Sequence, residues 1–224
     1  ATAAQMMLEN FDNTLLEHSI AKIDIFGTLR IAATNTYLNA LAVPVCSALT
    51  GEHPRLRVDL REMPAHNIMR DLEEGAVDLG VLPRMPFRKN LATEQLFTEV
   101  FGVIGVSDLI KPFGRQATLT ALQDSRVVML NQNYWMRQQI DQQSLFDKVD
   151  FDIQIEVSGA HNAIALLRQG GCLSVGSGLN LLNEPALRFV PLKGKFLFRE
   201  AVICYRSRTP VTVSYTHLRA HETR

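Results

Sequence analysis

The chain has 224 residues, 46% of them hydrophobic and 21% charged, enough apolar material for a sizeable core and one to two domains. Lys plus Arg equals Asp plus Glu at 23 each, so the charge balance gives no basic footprint for nucleic acid. No apolar run approaches the roughly 18 residues of a membrane span, and Cys46, Cys172 and Cys204 are too scattered for a disulfide framework or a zinc site.

The opening segment carries Ala4, Leu8, Phe11 and Leu15, a helical stripe of nearly heptad spacing. It starts at residue 1 without a cap, so the helix is expected to extend upstream. It could lie on its own domain or pair two chains. It carries acids and does not resemble a signal peptide, which with the cysteine usage points to a cytoplasmic protein. Leu29–Ala33 reads as a buried strand, and Thr34-Asn35-Thr36 supplies cap chemistry for a helix from Tyr37 to about Leu49. Gly51 and Pro54 are expected to end that helix. Arg55–Glu62 alternates with Leu56, Val58 and Leu60 on one face, a strand. After Pro64, Asn67 can cap a short helix through Glu74, closed by Gly75. Val77–Leu82 is a third strand, and strand–helix alternation of this kind signals a mostly parallel sheet.

Leu91–Val106 is a β-rich stretch longer than a typical strand, long enough to pass from one lobe to another. A second round follows: a helix at Leu119–Gln123, a strand at Arg126–Leu130, a helix at Trp135–Phe146 and a strand at Asp152–Val157. Then come a helix at His161–Gln169 closed by Gly170-Gly171, and strands at Cys172–Val175 and Leu187–Leu192. Phe198–Tyr205 is apolar enough to be the strand that returns to the first lobe. Two α/β rounds joined by two extended crossings describe a hinged two-lobe binder. Val213–Arg224 shows neither alternation nor a stripe. It resembles the translated read-through of a sequencing adapter, with an ordinary flexible tail as the alternative, and the natural chain is expected to continue differently after Thr212.

Four segments carry a resemblance to the LysR-type transcription regulators: Gly27–Thr34 with Leu41-Ala-Val-Pro44, His53–Leu60, Leu72–Val81 and Val157–Val175. The resemblance implies two Rossmann-like α/β lobes joined by two crossover strands, the type 2 periplasmic-binding-protein-like fold. It divides the chain into a partial linker or dimerisation helix (1–22), lobe I (26–104), lobe II (105–197), a return crossover (198–212) and the adapter-like tail (213–224). It further implies a homodimer or tetramer, a small-molecule effector bound between the lobes, and DNA contact only through a winged helix-turn-helix preceding Ala1. In Val175-Gly176-Ser177-Gly178 the chain departs from the apolar residues ending in proline that are usual there.

In such folds ligands sit outside the carboxyl ends of the strands, where helix starts offer unpaired N–H groups to anions. Thr34, Asn35 and Thr36 stand at one such turn, and Ser158, Gly159, Ala160 and His161 at another. The resemblance assigns both turns to the cleft, and their helix starts suit an anionic effector, against simple capping for the threonines and a surface or capping role for His161. Leu82, Pro83, Asn131 and Gln132 qualify by position, although Asn131 serves equally as the cap of the Trp135 helix. Pro64, Ala65 and His66 follow the second strand, and Trp135 reads as core. No G-x-S-x-G, P-loop or H-E-x-x-H occurs, so no catalytic residue, metal ligand or cofactor is assigned. Asp71, Glu73 and Glu74 read as a solvated face. The alternative function is a transport-type solute-binding protein, with an enzyme a distant third.

Overall fold

The computed structural model describes residues 25–86 and 88–207; the expected linker helix over 1–22 and the tail from 213 lie outside them. The described residues form two compact units, one built from 25–97 and 200–207, the other from Thr98–Arg199. The divisions fall within two long strands, as two extended crossings require.

In unit one, β1 (Gly27–Ala33) lies between β2 (Leu56–Glu62) and β3 (Leu79–Pro83), parallel to both, and β9 (Phe198–Arg206) joins β3 antiparallel. β2 is the edge, and its alternation is correspondingly shallow: Leu56 alone is fully buried. The core between sheet and helix gathers Ala32, Ile68, Leu72, Leu82, Val202 and Cys204.

The first helix, α1, starts at Asn35, two residues earlier than the cap chemistry suggested. It runs as an α turn (Asn35–Tyr37), a π segment (Leu38–Ala42) and an α segment (Val43–Glu52). Pro44 explains the π segment. Its ring has no N–H and crowds the carbonyl of residue 40, and the wider turn, closed by Val43 N–H on Leu38 O, makes room for it. Gly51 is inside the helix rather than its stop.

Helix α2 spans Ala65–Glu74 with Pro64 as its cap residue, so Asn67 lies within the first turn instead of capping it. It ends as the sequence suggested, at Gly75, in the left-handed region at φ 78°. The guanidinium of Arg206 comes in from β9 and donates to Leu72 O at 2.8 Å, satisfying a last-turn carbonyl. A Cβ on Gly75 would stand 3.0 Å from that Arg206 nitrogen. Gly75→Ala is therefore expected to cost about 1–2 kcal/mol through backbone strain alone, read as a lowered urea midpoint. An unchanged midpoint would mean that the turn relaxes freely.

In unit two, β4 (Leu91–Val106) pairs antiparallel with β7 (Leu173–Ser177) and β8 (Leu187–Pro191), while β5 (Val127–Leu130) lies parallel between β7 and β6 (Ile153–Val157). β4 has the bounds read from its apolar run. Helices α3 (Ser107–Ile110), α4 (Trp135–Asp147) and α5 (Ala160–Arg168) complete the unit. The helix expected at Leu119–Gln123 is a single 3-10 turn, Leu119–Leu122. Phe101, Leu119, Leu122, Met129, Ile140 and Leu197 lie at the centre of the main core, with a second cluster of Ile104, Ile164, Leu167 and Leu187. Trp135 packs edge-on against Phe101 at 6.5 Å, which bears out its core reading.

Candidate functional site

Each unit gathers its candidate residues at the carboxyl ends of its parallel strands. In unit one the backbone closes the turns first: Thr34 N–H donates to Val81 O at 3.1 Å and Met63 N–H to Ala33 O at 3.2 Å. This brings the ends of β1, β2 and β3 together and places Thr34, Asn35 and Thr36 where α1 begins, with Pro83 closing β3.

Thr34 occupies the cap position with extended backbone (φ −71°, ψ 151°), yet its side chain makes no capping bond. Its Oγ1 is buried without a hydrogen-bond partner among the described residues. The cap expected from sequence is thus geometric only. Asn35 donates through Nδ2 to Glu62 at the end of β2, at 3.0 Å, and its carbonyl accepts from Asn39 Nδ2 at 3.1 Å. Glu62 is a member of this turn that sequence reasoning missed. Leu82 is fully buried in the unit-one core, so only its backbone could face a ligand. His66 is exposed on the first turn of α2.

In unit two the ends of β5 and β6 are held by a buried cation. Arg137, 5% exposed on α4, donates to Leu130 O at 2.9 Å, to Glu156 at 2.6 Å and to Asp141 at 2.7 Å. Burial opposes its charge, but the bonds to Asp141 and Glu156 outweigh that and hold the guanidinium above its ordinary pKa. Asn131 N–H donates to Val157 O at 2.9 Å, and the Tyr134 hydroxyl donates to Ser158 O. Asn131, Ser158, Gly159 and His161 are thereby brought to one edge of this unit.

Asn131 does not cap α4, whose cap residue is Tyr134. Its Oδ1 instead accepts from Asn133 N–H at 3.1 Å, closing an Asx turn before the helix. Gly159 is the cap residue of α5, and a Cβ there would meet the His161 ring at 2.7 Å. The imidazole therefore folds back toward the cap residue of its own helix, and Ala160 is half-buried. The departure at Val175–Gly178 also has a role. The Ser177 hydroxyl donates to the buried Glu99 and accepts from Leu179 N–H at 3.2 Å, capping a 3-10 turn.

Each unit's turns offer neutral donors and a helix start, and those of unit one add the buried, unpaired Thr34 hydroxyl, chemistry for holding a small polar molecule. Among the described residues no group of three His, Cys, Asp or Glu side chains is placed to hold a metal ion, and no helix is long and apolar enough to cross a membrane.

Residues 24–221 match the family model for the LysR substrate binding domain, a match that extends past residue 213, where the adapter-like tail was expected to begin. Among solved structures, the chain is similar to CbnR, a LysR family transcriptional regulator, at 16% identity and a TM-score of 0.70, covering 95% of this chain and 75% of that one. It is also similar to the regulatory domain of CcmR from Synechocystis in complex with 2-PG, at 18% identity and a TM-score of 0.73, covering 87% and 95%. The effector binding domain of QuiR in complex with shikimate matches at 11% identity and a TM-score of 0.70, covering 88% and 95%. These likenesses show the fold, the type 2 periplasmic-binding-protein-like arrangement expected from the sequence.

Proposed function

The chain belongs to the LysR substrate binding domain family, and on that premise we propose that it is the effector-sensing portion of a cytoplasmic LysR-type regulator. Effector recognition is assigned to the strand-end turns of each unit. In unit one these are Thr34, Asn35, Thr36, Pro83 and the backbone of Leu82; in unit two they are Asn131, Gly159, Ala160 and His161. The role is binding rather than catalysis, and the family match does not favour the transport reading.

The observation that carries the assignment is the Thr34 hydroxyl, buried and unpartnered at the start of α1. A buried polar group left unpaired costs about 1–3 kcal/mol, which a ligand oxygen at that turn would recover. The first N–H groups of a helix have no acceptor within it, and their dipole favours negative charge. A small carboxylate suits both. That CcmR and QuiR are solved with 2-PG and shikimate supports a small-molecule effector.

Occupancy would act by preferring one conformation of a paired chain, a homodimer or tetramer, over another. A winged helix-turn-helix would then meet DNA differently in the two conformations. The coupling expected of such a switch is about 1–3 kcal/mol.

Calorimetry on the full chain with a panel of carboxylates and amino-acid-like compounds tests the site. For any compound that binds, Thr34→Val and Thr36→Val are each expected to weaken affinity by about tenfold or more, the worth of a hydrogen bond to a charged group. Undiminished binding in both variants would remove these residues from the site.

A further inference from the structure

A cavity in unit two lies away from those turns. It opens at the amino ends of β5 and β7 in unit two, has a volume of about 670 Å³, and is walled by Phe113, Leu109 and Leu173 on its apolar side. Asp124, Arg126 and Cys172 are among its other lining residues. A smaller cavity of about 160 Å³ shares Arg126, Gly171 and Cys172 with it, so the two meet at that point.

Neither charge at its rim takes part in an ion pair among the described residues. Asp124 takes part in no ion pair or hydrogen bond among the described residues. Arg126 donates only through Nε, to Gln154 at 2.8 Å, which leaves both terminal nitrogens available. The two residues are two positions apart just before β5, and both line the cavity together with Leu109, Phe113 and Leu173. Gly171, which lines both cavities, sits at φ 79° with open space where a Cβ would be. A volume of this size is ordinary for small-molecule sites, which span roughly 300–1,000 Å³ and are mostly apolar with a few placed polar groups.

We infer that this amino-end cavity of unit two is a second ligand site, distinct from the strand-end turns, for a small zwitterion with an apolar body, such as an aromatic α-amino acid. Arg126 takes the carboxylate, Asp124 the ammonium, and the side chain lies against Phe113 and Leu173. A pure anion would meet Asp124 as a like charge, and a pure cation would meet Arg126. Neither gains both partners.

Cys172 provides the readout. It is the partly exposed thiol, whereas Cys46 and Cys204 are buried. Alkylation of Cys172 in the full chain, followed by peptide mass spectrometry, is measured with L-phenylalanine, phenylacetate and phenethylamine as probes. L-Phenylalanine is expected to slow labelling about tenfold at ten times its dissociation constant, and the two single-charge analogues much less. Because Arg126 also acts on the thiol electrostatically, each variant is scored as a ratio with and without probe. Asp124→Asn and Arg126→Gln should each raise the half-protecting concentration about tenfold, while Thr34→Val and Thr36→Val leave it unchanged. Equal protection by all three probes, no protection by any, or protection indifferent to Asp124 and Arg126 overturns the inference. Loss of protection in the Thr34 and Thr36 variants would assign the effect to the other site.

Discussion

Arg199→Met is expected to destabilise unit two by about 3–5 kcal/mol, because it strands Glu99 as a buried charge without its cation. Glu99 and Arg199 are only 6% and 8% exposed, and Arg199 Nε donates to Glu99. Ser177 donates to the other carboxylate oxygen, and the guanidinium lies 5.7 Å from the centre of the Phe101 ring. Moving two charges out of water is costly, and their mutual attraction repays that cost only while both are present. Glu99→Leu alone should be harmful in the same way. The double variant Glu99→Leu with Arg199→Met removes both charges together and should recover most of the loss, leaving stability within roughly 1–2 kcal/mol of the parent. Urea unfolding of the four proteins makes the comparison. Additive losses in the double variant would mean that the two charges do not depend on each other.

The second large effect concerns Asp78 in unit one. Its carboxylate, 6% exposed, accepts from Arg30 three times: from the backbone N–H at 3.0 Å, from Nε at 3.1 Å and from Nη2 at 2.8 Å. Arg30 is on β1 and Asp78 immediately precedes β3, so the pair ties the loop after α2 to the central strand. Burial pushes the carboxyl up. The bonds from the Arg30 side chain and backbone, with the charges of Arg30 and Arg206, outweigh burial and hold it below the ordinary value of 3.8.

A carboxyl whose folded pKa is depressed contributes stability in full above its unfolded pKa and loses it as the pH falls through the folded value. The parent is therefore expected to lose stability on acidification below about pH 5. Asp78→Asn should cost about 2–3 kcal/mol at neutral pH, since one oxygen acceptor becomes a donor facing a cation. It should also show a shallower acid dependence. Thermal melts from neutral to acidic pH measure both. Curves that stay parallel for the two proteins would mean that Asp78 titrates alike in the folded and unfolded chain.

Local patterns were legible where one segment carries its own signal. The apolar run of Leu91–Val106 marked β4 to the residue, and Gly75 marked the end of α2, because only glycine takes φ 78° cheaply. The turn at Thr34-Asn35-Thr36 was placed correctly as strand-to-helix. Its side-chain hydrogen bonds were not: the Thr34 hydroxyl caps nothing, and Asn35 pairs with Glu62, 27 positions away at the end of β2. Asn67 and Asn131 failed as caps for a related reason. Asn residues suit caps and Asx turns alike, and the neighbouring backbone chooses between them.

Arg137 left a faint trace, a cation four residues before Asp141 on a helix, which reads equally well as a surface pair. Its burial became visible only once β5 and β6 placed Leu130 O and Glu156 beside it. Glu99, Ser177 and Arg199 left no local trace, being separated by 78 and 22 positions along the chain. The amino-end cavity, likewise, is a space between elements distant in sequence.

What the sequence by itself determined is therefore the succession of strands and helices, the two α/β rounds and the turns where a ligand is expected. Periodicity, glycine conformation and turn chemistry act over a few residues, and each can be read in its own segment. Only the tertiary structure decided which charges are buried against which and which hydroxyl is left unpaired. It also decided where unit two keeps an unfilled space. Those outcomes depend on the desolvation and pairing of groups far apart in the chain, and desolvation is set by the fold that surrounds a group rather than by its neighbours in sequence.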